Sequence, residues 1–211
     1  MKMNTAANPQ KHPEQKASKT KTMVKVSMLG ALAAVLMLFS VPLPFLAPSF
    51  YEMDFSEVPV LIGSFAMGPL AGAAIELVKI LLNLLMNGTQ TMFVGELANL
   101  IVGCALVVPA GYIYQRSKTR KHAVAGLVTG VVTMTVAAVL MNAYVLLPAY
   151  GKAFGMPLNS FIKMGTAIHS SIDSLLDFCL LLVAPFNILK GAFVSVITLL
   201  LYKRISGLLR R

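Results

Sequence analysis

The chain has 211 residues, of which 57% are hydrophobic and only 12% are charged, and its mean hydropathy is +0.76. Soluble domains carry about 25% charged residues, so this composition excludes an ordinary soluble domain and indicates an integral membrane protein. The 18 basic residues outnumber the eight acidic ones, a balance that suits cytoplasmic loops and anionic lipid headgroups better than nucleic acid.

The first 22 residues are polar and contain five lysines. A signal peptide would begin in a similar way. However, the apolar run 24–41 that follows has 18 residues and is not followed by a small-residue cleavage site. We therefore predict that residues 1–22 form a disordered basic cytoplasmic tail and that residues 23–211 form one membrane domain.

Five long apolar segments follow the tail, and each can supply the roughly 20 residues that cross a bilayer. They cover residues 24–41, 58–86, 92–113, 123–147 and 174–202. The alternating ten-residue strands of an outer-membrane barrel are absent from the sequence, so the predicted fold class is all-α.

The distribution of charge predicts the topology. Fourteen of the 18 Lys and Arg fall within residues 2–25, 116–121 and 203–211, whereas the connection 42–57 carries three acidic residues and no base. By the positive-inside rule the basic clusters are cytoplasmic and the acidic connection lies outside. Both termini are then cytoplasmic, and the number of crossings is even.

An even number of crossings requires a helix break inside the segment 58–86. Gly68-Pro69 offers that break, because glycine ends helices and proline starts them. We therefore predict a six-helix transmembrane bundle whose second helix, residues 58–67, is only about 15 Å long.

Polar side chains are rare inside the apolar segments, and a charge at that depth costs a few kcal/mol. Asn187 and Lys190 are three residues apart, so both project from one helical face toward a polar cavity or a ligand. Glu76 and Lys79 have the same spacing and could equally form an ion pair on a helix surface.

Helix direction places most of these polar groups in the outer half of the bundle. Glu96 and Asn99 follow the predicted outer turn 87–91, Asn142 precedes the outer exit at Leu147-Pro148, and Asn187 lies 13 residues into the last helix. The sequence therefore predicts a site that opens to the outside.

Several chemistries have no motif in this chain. The phosphate-binding loop G-x-x-x-x-G-K-[ST] and the hydrolase motifs HExxH and GxSxG are absent from the sequence. The three histidines lack metal-ligand spacing, and Cys104 and Cys179 are isolated in apolar helices. We therefore expect no metal, no cofactor and no enzymatic activity.

Four motifs, in order along the chain, carry a resemblance to a known family. They are D-F-S-E-V-P-x-L-I-G (54–63) with G-P-x-x-G (68–72) and E-L-x-K (76–79), then G-E-L-A-N (95–99), N-x-x-x-L-L-P-x-Y (142–150) and P-F-N-x-x-K (185–190). Over residues 24–208 the chain resembles the RibU family, the riboflavin-binding S components of energy-coupling factor (ECF) transporters.

The resemblance implies a six-helix substrate-binding subunit in a prokaryotic plasma membrane. Such a subunit captures riboflavin from outside and works with a transmembrane coupling subunit and two cytoplasmic ATPases. The resemblance also implies that Asn142, Asn187 and Lys190 contact the flavin.

These residue types suit riboflavin, because an asparagine both donates and accepts hydrogen bonds and a lysine donates them. The flavin offers a uracil-like edge and a ribityl chain of hydroxyls to such groups. We add Glu96 and Asn99 as ligand contacts. We expect apolar residues of the outer connection to cover the dimethylbenzene end, namely Leu43, Phe45, Leu46 and Phe55.

In the family, the first helix docks on the coupling subunit through an Ala-x-x-x-Ala face. The nearest match in this chain is Gly30-x-x-x-Ala34, with Ala33 beside it. Small residues at this spacing let two helix backbones approach closely, so we predict that these residues dock the partner.

Two alternatives stay open. The same architecture could take up another vitamin, because a fold does not dictate its ligand. The chain could also be a small membrane enzyme or assembly factor with Lys190 and Glu96 as an acid–base pair, although it contains no nucleophile motif.

Overall fold

Apolar α-helices make up most of the chain. The structure is a computed structural model that describes the backbone of residues 13–48, 50–89, 91–153 and 155–210, with side chains described from residue 19 to residue 202. Within that part of the chain, five helices are long and apolar enough to cross a membrane, and one shorter apolar helix lies among them. The all-α membrane fold is confirmed, while six crossings and cytoplasmic termini stay predictions.

The elements follow one another with short connections. They are α1 (Pro13–Met37), β1 (Val41–Pro42), β2 (Glu52–Met53), α2 (Glu57–Met67), α3 (Pro69–Asn87), α4 (Val94–Arg116), α5 (Arg120–Met141), α6 (Leu147–Ala153), α7 (Leu158–Thr166), α8 (Leu175–Phe178) and α9 (Ala184–Arg210). β1 and β2 pair antiparallel and close the connection between α1 and α2 into a small hairpin.

Two π-helical turns make longer helices out of these elements. Asn142–Leu146 joins α5 to α6, and Cys179–Val183 joins α8 to α9. Each joined pair is long and apolar enough to cross a membrane as one continuous helix. π turns are rare and are frequently found at functional sites, so the residues around these two turns are candidates for such a site.

α1 begins earlier than the sequence predicts. The backbone of residues 13–22 is helical, where we predicted disorder. Residues 1–12 and the side chains of the basic cluster 203–211 lie outside the described part of the chain. The division of the chain into a tail and a membrane domain stays a prediction.

The predicted helix break is confirmed at Gly68. α2 ends at Met67 and α3 begins at Pro69, while Gly68 has a φ of 105°, a conformation that a residue with a Cβ rarely adopts. Pro69 has no backbone N–H to donate, which costs nothing at the first position of a helix, where the N–H has no partner within the helix.

α2 lies inside the bundle rather than at its surface. Nine of its 11 residues are buried, and it contacts α1, α3, α4 and α9. Ser64 is central to this packing, since a Cβ at Gly72 or Gly111 would lie 2.6 Å from its Cβ or 2.0 Å from its Oγ. The neighbouring helices therefore shield this short helix from lipid.

α4 and α5 approach each other through glycines. A Cβ at Gly126 would lie 2.6 Å from the carbonyl oxygen of Ala110, and a Cβ at Gly130 would lie 2.5 Å from that of Leu106. Gly126 and Gly130 are four residues apart, the spacing that permits close helix packing in membranes.

Candidate ligand site

A cavity of about 720 Å³ lies among the helices beside the turn between α3 and α4. Its size is within the range of pockets that hold a drug-sized organic molecule. The structure brings all five predicted polar site residues into its wall, namely Glu96, Asn99, Asn142, Asn187 and Lys190. Their roles in ligand binding stay predictions.

The two π turns lie next to the two asparagines. Asn142 begins the first turn and donates from Nδ2 to the carbonyl oxygen of Ala138 at 2.8 Å. Asn187 donates in the same way to Val183, the last residue of the second turn, also at 2.8 Å. Because the Nδ2 of Asn187 is engaged by Val183, its Oδ1 stays available to accept a hydrogen bond from a ligand.

Lys190 is paired with Asp54, which lies between β2 and α2. Its Nζ lies 2.8 Å from Asp54 Oδ2, and the two side chains are only 13% and 4% exposed. Asp54 Oδ1 accepts a further hydrogen bond from the backbone of Ser56 at 2.7 Å. Burial alone would raise the pKa of Asp54, but the charges of Lys190 and Lys79 and these hydrogen bonds lower it to about 2.

A second group of charges, Lys79 with Glu57 and Glu76, is hydrogen-bonded to Asn99. Lys79 Nζ lies 2.7 Å from Glu57 and 2.5 Å from Glu76, and it donates to Asn99 Oδ1 at 3.4 Å. Lys79 and Glu76 are completely buried, so their interpretation as a pair on a helix surface is wrong. A Cβ at Gly103 would lie 2.3 Å from Glu76 Oε1, so this glycine makes room for the carboxyl group.

Glu96 lies in the first turn of α4, where a carboxylate interacts favourably with the helix dipole. Its Oε2 accepts a hydrogen bond from Thr91 Oγ1 at 2.7 Å. The same Thr91 hydroxyl accepts from the backbone nitrogen of Gly95 at 3.1 Å, which ties the turn before α4 to the helix.

The aromatic residues of the cavity wall differ from those predicted. Phe50 and Tyr51 line it, and the Tyr51 hydroxyl donates to Asn142 Oδ1. Burial raises the pKa of Tyr51 well above its usual value. Phe45 is 75% exposed, and Phe55 packs on Phe193 with ring centroids 5.6 Å apart.

None of the four apolar residues predicted to cover the ligand is part of the described cavity wall, namely Leu43, Phe45, Leu46 and Phe55. The contacts of Tyr51 and Asp54 with the bundle turn the end of the β1–β2 hairpin inward and leave its earlier residues outside. Sequence reasoning missed Asp54 and Tyr51. The only signal for Asp54 was its place in the D-F-S-E motif.

The residues of the predicted docking face lie inside the molecule in this structure, and their role in docking the partner stays a prediction. A Cβ at Gly30 would lie 2.5 Å from Val78 Cγ1 of α3, and Ala33 and Ala34 are 0% and 1% exposed. Small residues let α1 approach a neighbour closely, but in this structure that neighbour is α3 of the same chain.

A comparison with family models decides the family. The model described as "ECF transporter, substrate-specific component" matches residues 21–202. The chain belongs to this family. It is therefore a multi-pass membrane transport subunit, the resemblance seen in the sequence is confirmed, and the alternative of a membrane enzyme is wrong.

Individual relatives agree with this assignment of an S component. "Riboflavin transporter RibU" of Staphylococcus aureus (strain TCH60) is 35% identical over 191 residues, which cover 90% of this chain and 93% of that protein. "Riboflavin transporter FmnP" of Bacillus subtilis (strain 168) is 32% identical over 189 residues, which cover 89% and 93% respectively.

A solved structure has the same fold. It is described as "Structure and mechanism of the S component of a bacterial ECF transporter" and superimposes with a TM-score of 0.69 at 35% sequence identity. The match covers 92% of this chain and 99% of the solved one.

Proposed function

We propose that this S component binds riboflavin from the outside of the cell and delivers it for ATP-driven uptake. The observation that carries the proposal is the cavity wall, where Asn142, Asn187 and Lys190 come together. These residues belong to the motifs that resemble the riboflavin-binding family, and two relatives with more than 30% identity are named riboflavin transporters.

The hydrogen-bonding groups of the wall suit a flavin. Lys190 has three ammonium hydrogens, of which one reaches Asp54 and the others can be offered to a ligand. Asn187 offers an acceptor, and Asn99 offers its amide hydrogens because Lys79 occupies its oxygen. A ligand with a uracil-like edge and several hydroxyls can use both kinds of group.

Transport needs partners for its energy, because the chain has no phosphate-binding loop. We infer that a transmembrane coupling subunit and two cytoplasmic ATPases supply it. In the orientation inferred from the basic clusters, the cavity lies at the outer end of the bundle and the loop 116–121 at the cytoplasmic end.

The test is to identify the small molecule that co-purifies with the protein in detergent by absorbance and mass spectrometry. We expect the spectrum and mass of riboflavin. Stripped protein should then rebind riboflavin without ATP, as measured by the change in flavin fluorescence. A different vitamin in the preparation, with no rebinding of riboflavin, would overturn the proposal.

A further inference from the structure

Charged side chains are distributed unevenly around the cavity. The described wall contains three carboxylates, Glu52, Glu57 and Glu96, but a single ammonium group, that of Lys190. Asp54 already neutralises Lys190, and Glu57 shares the ammonium group of Lys79 with Glu76. Two carboxylates of the wall are therefore left without a cation among the described residues, and both belong to the same cavity.

These two carboxylates, Glu52 and Glu96, are held by neutral groups. The Ser40 hydroxyl donates to Glu52, and the Thr91 hydroxyl donates to Glu96 at 2.7 Å. A hydroxyl fixes the position of a carboxylate but leaves its negative charge in place. The wall therefore presents a net negative potential to whatever enters the cavity.

From this geometry we propose that Glu52 and Glu96 make the site select neutral riboflavin over its phosphate ester, riboflavin 5′-phosphate. The inference rests on the proposed function. A phosphate monoester carries about −1.5 to −2 charges near pH 7 and would need a cation or free backbone donors in the site. The only cation of the described wall is already paired with Asp54.

One feature of the described wall that could attract an anion already carries a carboxylate. The N-terminus of α4 borders the cavity, and helix N-termini bind phosphate groups through free backbone N–H groups and the helix dipole. Glu96 places its own carboxylate in that first turn. A phosphate at the same place would meet a like charge instead of an open anion site.

Glu96 has the larger effect of the two. Glu52 is exposed at the edge of the hairpin, where water and salt screen its charge, whereas Glu96 is partly buried. The field of a partly buried charge is screened less, so a phosphate in the cavity is repelled more strongly by Glu96.

The experiment compares the Kd of riboflavin with the Kd of riboflavin 5′-phosphate, measured by flavin fluorescence on purified full-length protein. The variants are Glu52→Gln, Glu96→Gln and the double substitution. Glutamine keeps the size of glutamate and removes its charge, so it separates electrostatic rejection from lack of space. We expect each substitution to lower the ratio of phosphate-ester Kd to riboflavin Kd by about threefold to tenfold, with the larger change at Glu96.

The matched control is Asp173→Asn, which removes one negative charge from an exposed residue outside the described cavity wall. It should leave the ratio unchanged. Higher ionic strength should lower the wild-type ratio, because salt screens the exposed part of the repulsion.

The outcomes separate this inference from the proposed function. If wild-type protein does not bind riboflavin, the proposed function fails. If it binds riboflavin but binds the phosphate ester equally well, or if the double substitution leaves the ratio unchanged, the inference about Glu52 and Glu96 fails while the proposed function stands.

Discussion

At the scale of single residues, Lys190 shows how a charge is accommodated inside a membrane helix. Its counter-charge is Asp54, 136 residues earlier in the chain. An ion pair with both side chains largely buried is costly to break, because the partner left behind is an uncompensated charge. The pair therefore fixes the ammonium group in the cavity wall while leaving two of its hydrogens for a ligand.

We predict that Asn187→Ala and Lys190→Met each weaken riboflavin binding by about 1–3 kcal/mol, the usual cost of leaving a buried polar partner unsatisfied. Flavin fluorescence titrations of purified protein measure the change. Ile188→Ala is the control, since Ile188 lies on the same helix and is 52% exposed on its outer face. Wild-type affinity in both Asn187→Ala and Lys190→Met would place the ligand elsewhere.

The low pKa of Asp54 predicts a pH dependence of stability. Because the pKa falls from 3.8 to about 2 on folding, the carboxylate stabilises the protein fully above pH 3.8, and this contribution disappears as the pH falls through 2. A shift of this size corresponds to about 2 kcal/mol. Asp54→Asn should therefore be less stable than wild type at pH 6 in thermal unfolding.

The difference between Asp54→Asn and wild type should shrink between pH 4 and pH 2, as the wild-type carboxylate becomes protonated. Asp173→Asn serves as a control, because this exposed residue makes no ion pair within the described side chains. A stability difference that stays constant over the whole pH range would contradict the assigned role of the Asp54–Lys190 pair.

At the scale of the elements, the contact between α4 and α5 depends on Gly126 and Gly130. Alanine at either position would place a Cβ within 2.6 Å of a backbone carbonyl of α4, which side-chain movement cannot relieve. We predict that each substitution to alanine destabilises the protein by about 1–3 kcal/mol, as in other overpacked cores, despite the better helix propensity of alanine.

Thermal unfolding in detergent measures this effect. The control is Ala125→Val, which adds methyl groups at the neighbouring position on the exposed face of α5. If Gly126→Ala and Gly130→Ala unfold at the wild-type temperature, the two helices are not packed as closely as the structure has them.

The helix pattern could be predicted from the sequence because charge and hydropathy constrain it strongly. The break at Gly68 followed from the positions of basic clusters and from the number of crossings that they require. The α7 helix and the two π turns could not be predicted in this way. α7 lies in a connection of mixed polarity, and a π turn has the same apolar composition as the α-helix around it.

The polar half of the site was predictable, but its aromatic half was not. Intramembrane polar groups such as Asn187 and Lys190 stand out, since they are costly unless they face a cavity. Apolar side chains carry no such signal. The sequence alone makes Phe45 and Tyr51 equally good candidates for the cavity wall. The hydrogen bond that holds Tyr51 inward joins residues that are far apart in the chain. For the same reason the sequence did not indicate which face of α1 packs inside the bundle, because a membrane helix can be apolar on every face.

At the scale of the whole molecule, the cavity and the loop 116–121 lie at opposite ends of α4. Thr91 and Gly95 line the cavity at the start of the helix, and Arg116 is its last residue. The helix has 23 residues and is therefore about 34 Å long. That distance is enough to place the two ends on opposite sides of a bilayer.

We predict that single cysteines at Thr89 and Ser117 react with a membrane-impermeant reagent from opposite sides of the membrane. Both positions are exposed. The background lacks Cys104 and Cys179, the free cysteines of the described chain. Labelling of both cysteines from the same side would contradict the proposed orientation.

The short buried helix α2 also constrains how the protein is made. At about 16 Å it spans half of the hydrocarbon core, so its own hydrophobicity is insufficient to hold it across the bilayer during synthesis. We expect α2 to insert into the membrane together with α3 as a helical hairpin. α4 and α9 then pack around it as they are made. Because α9 follows all the other described helices in the chain, the packing around α2 is completed only after α9 has been made. A chain truncated before α9 should therefore leave the face of α2 that packs on α9 without its neighbour.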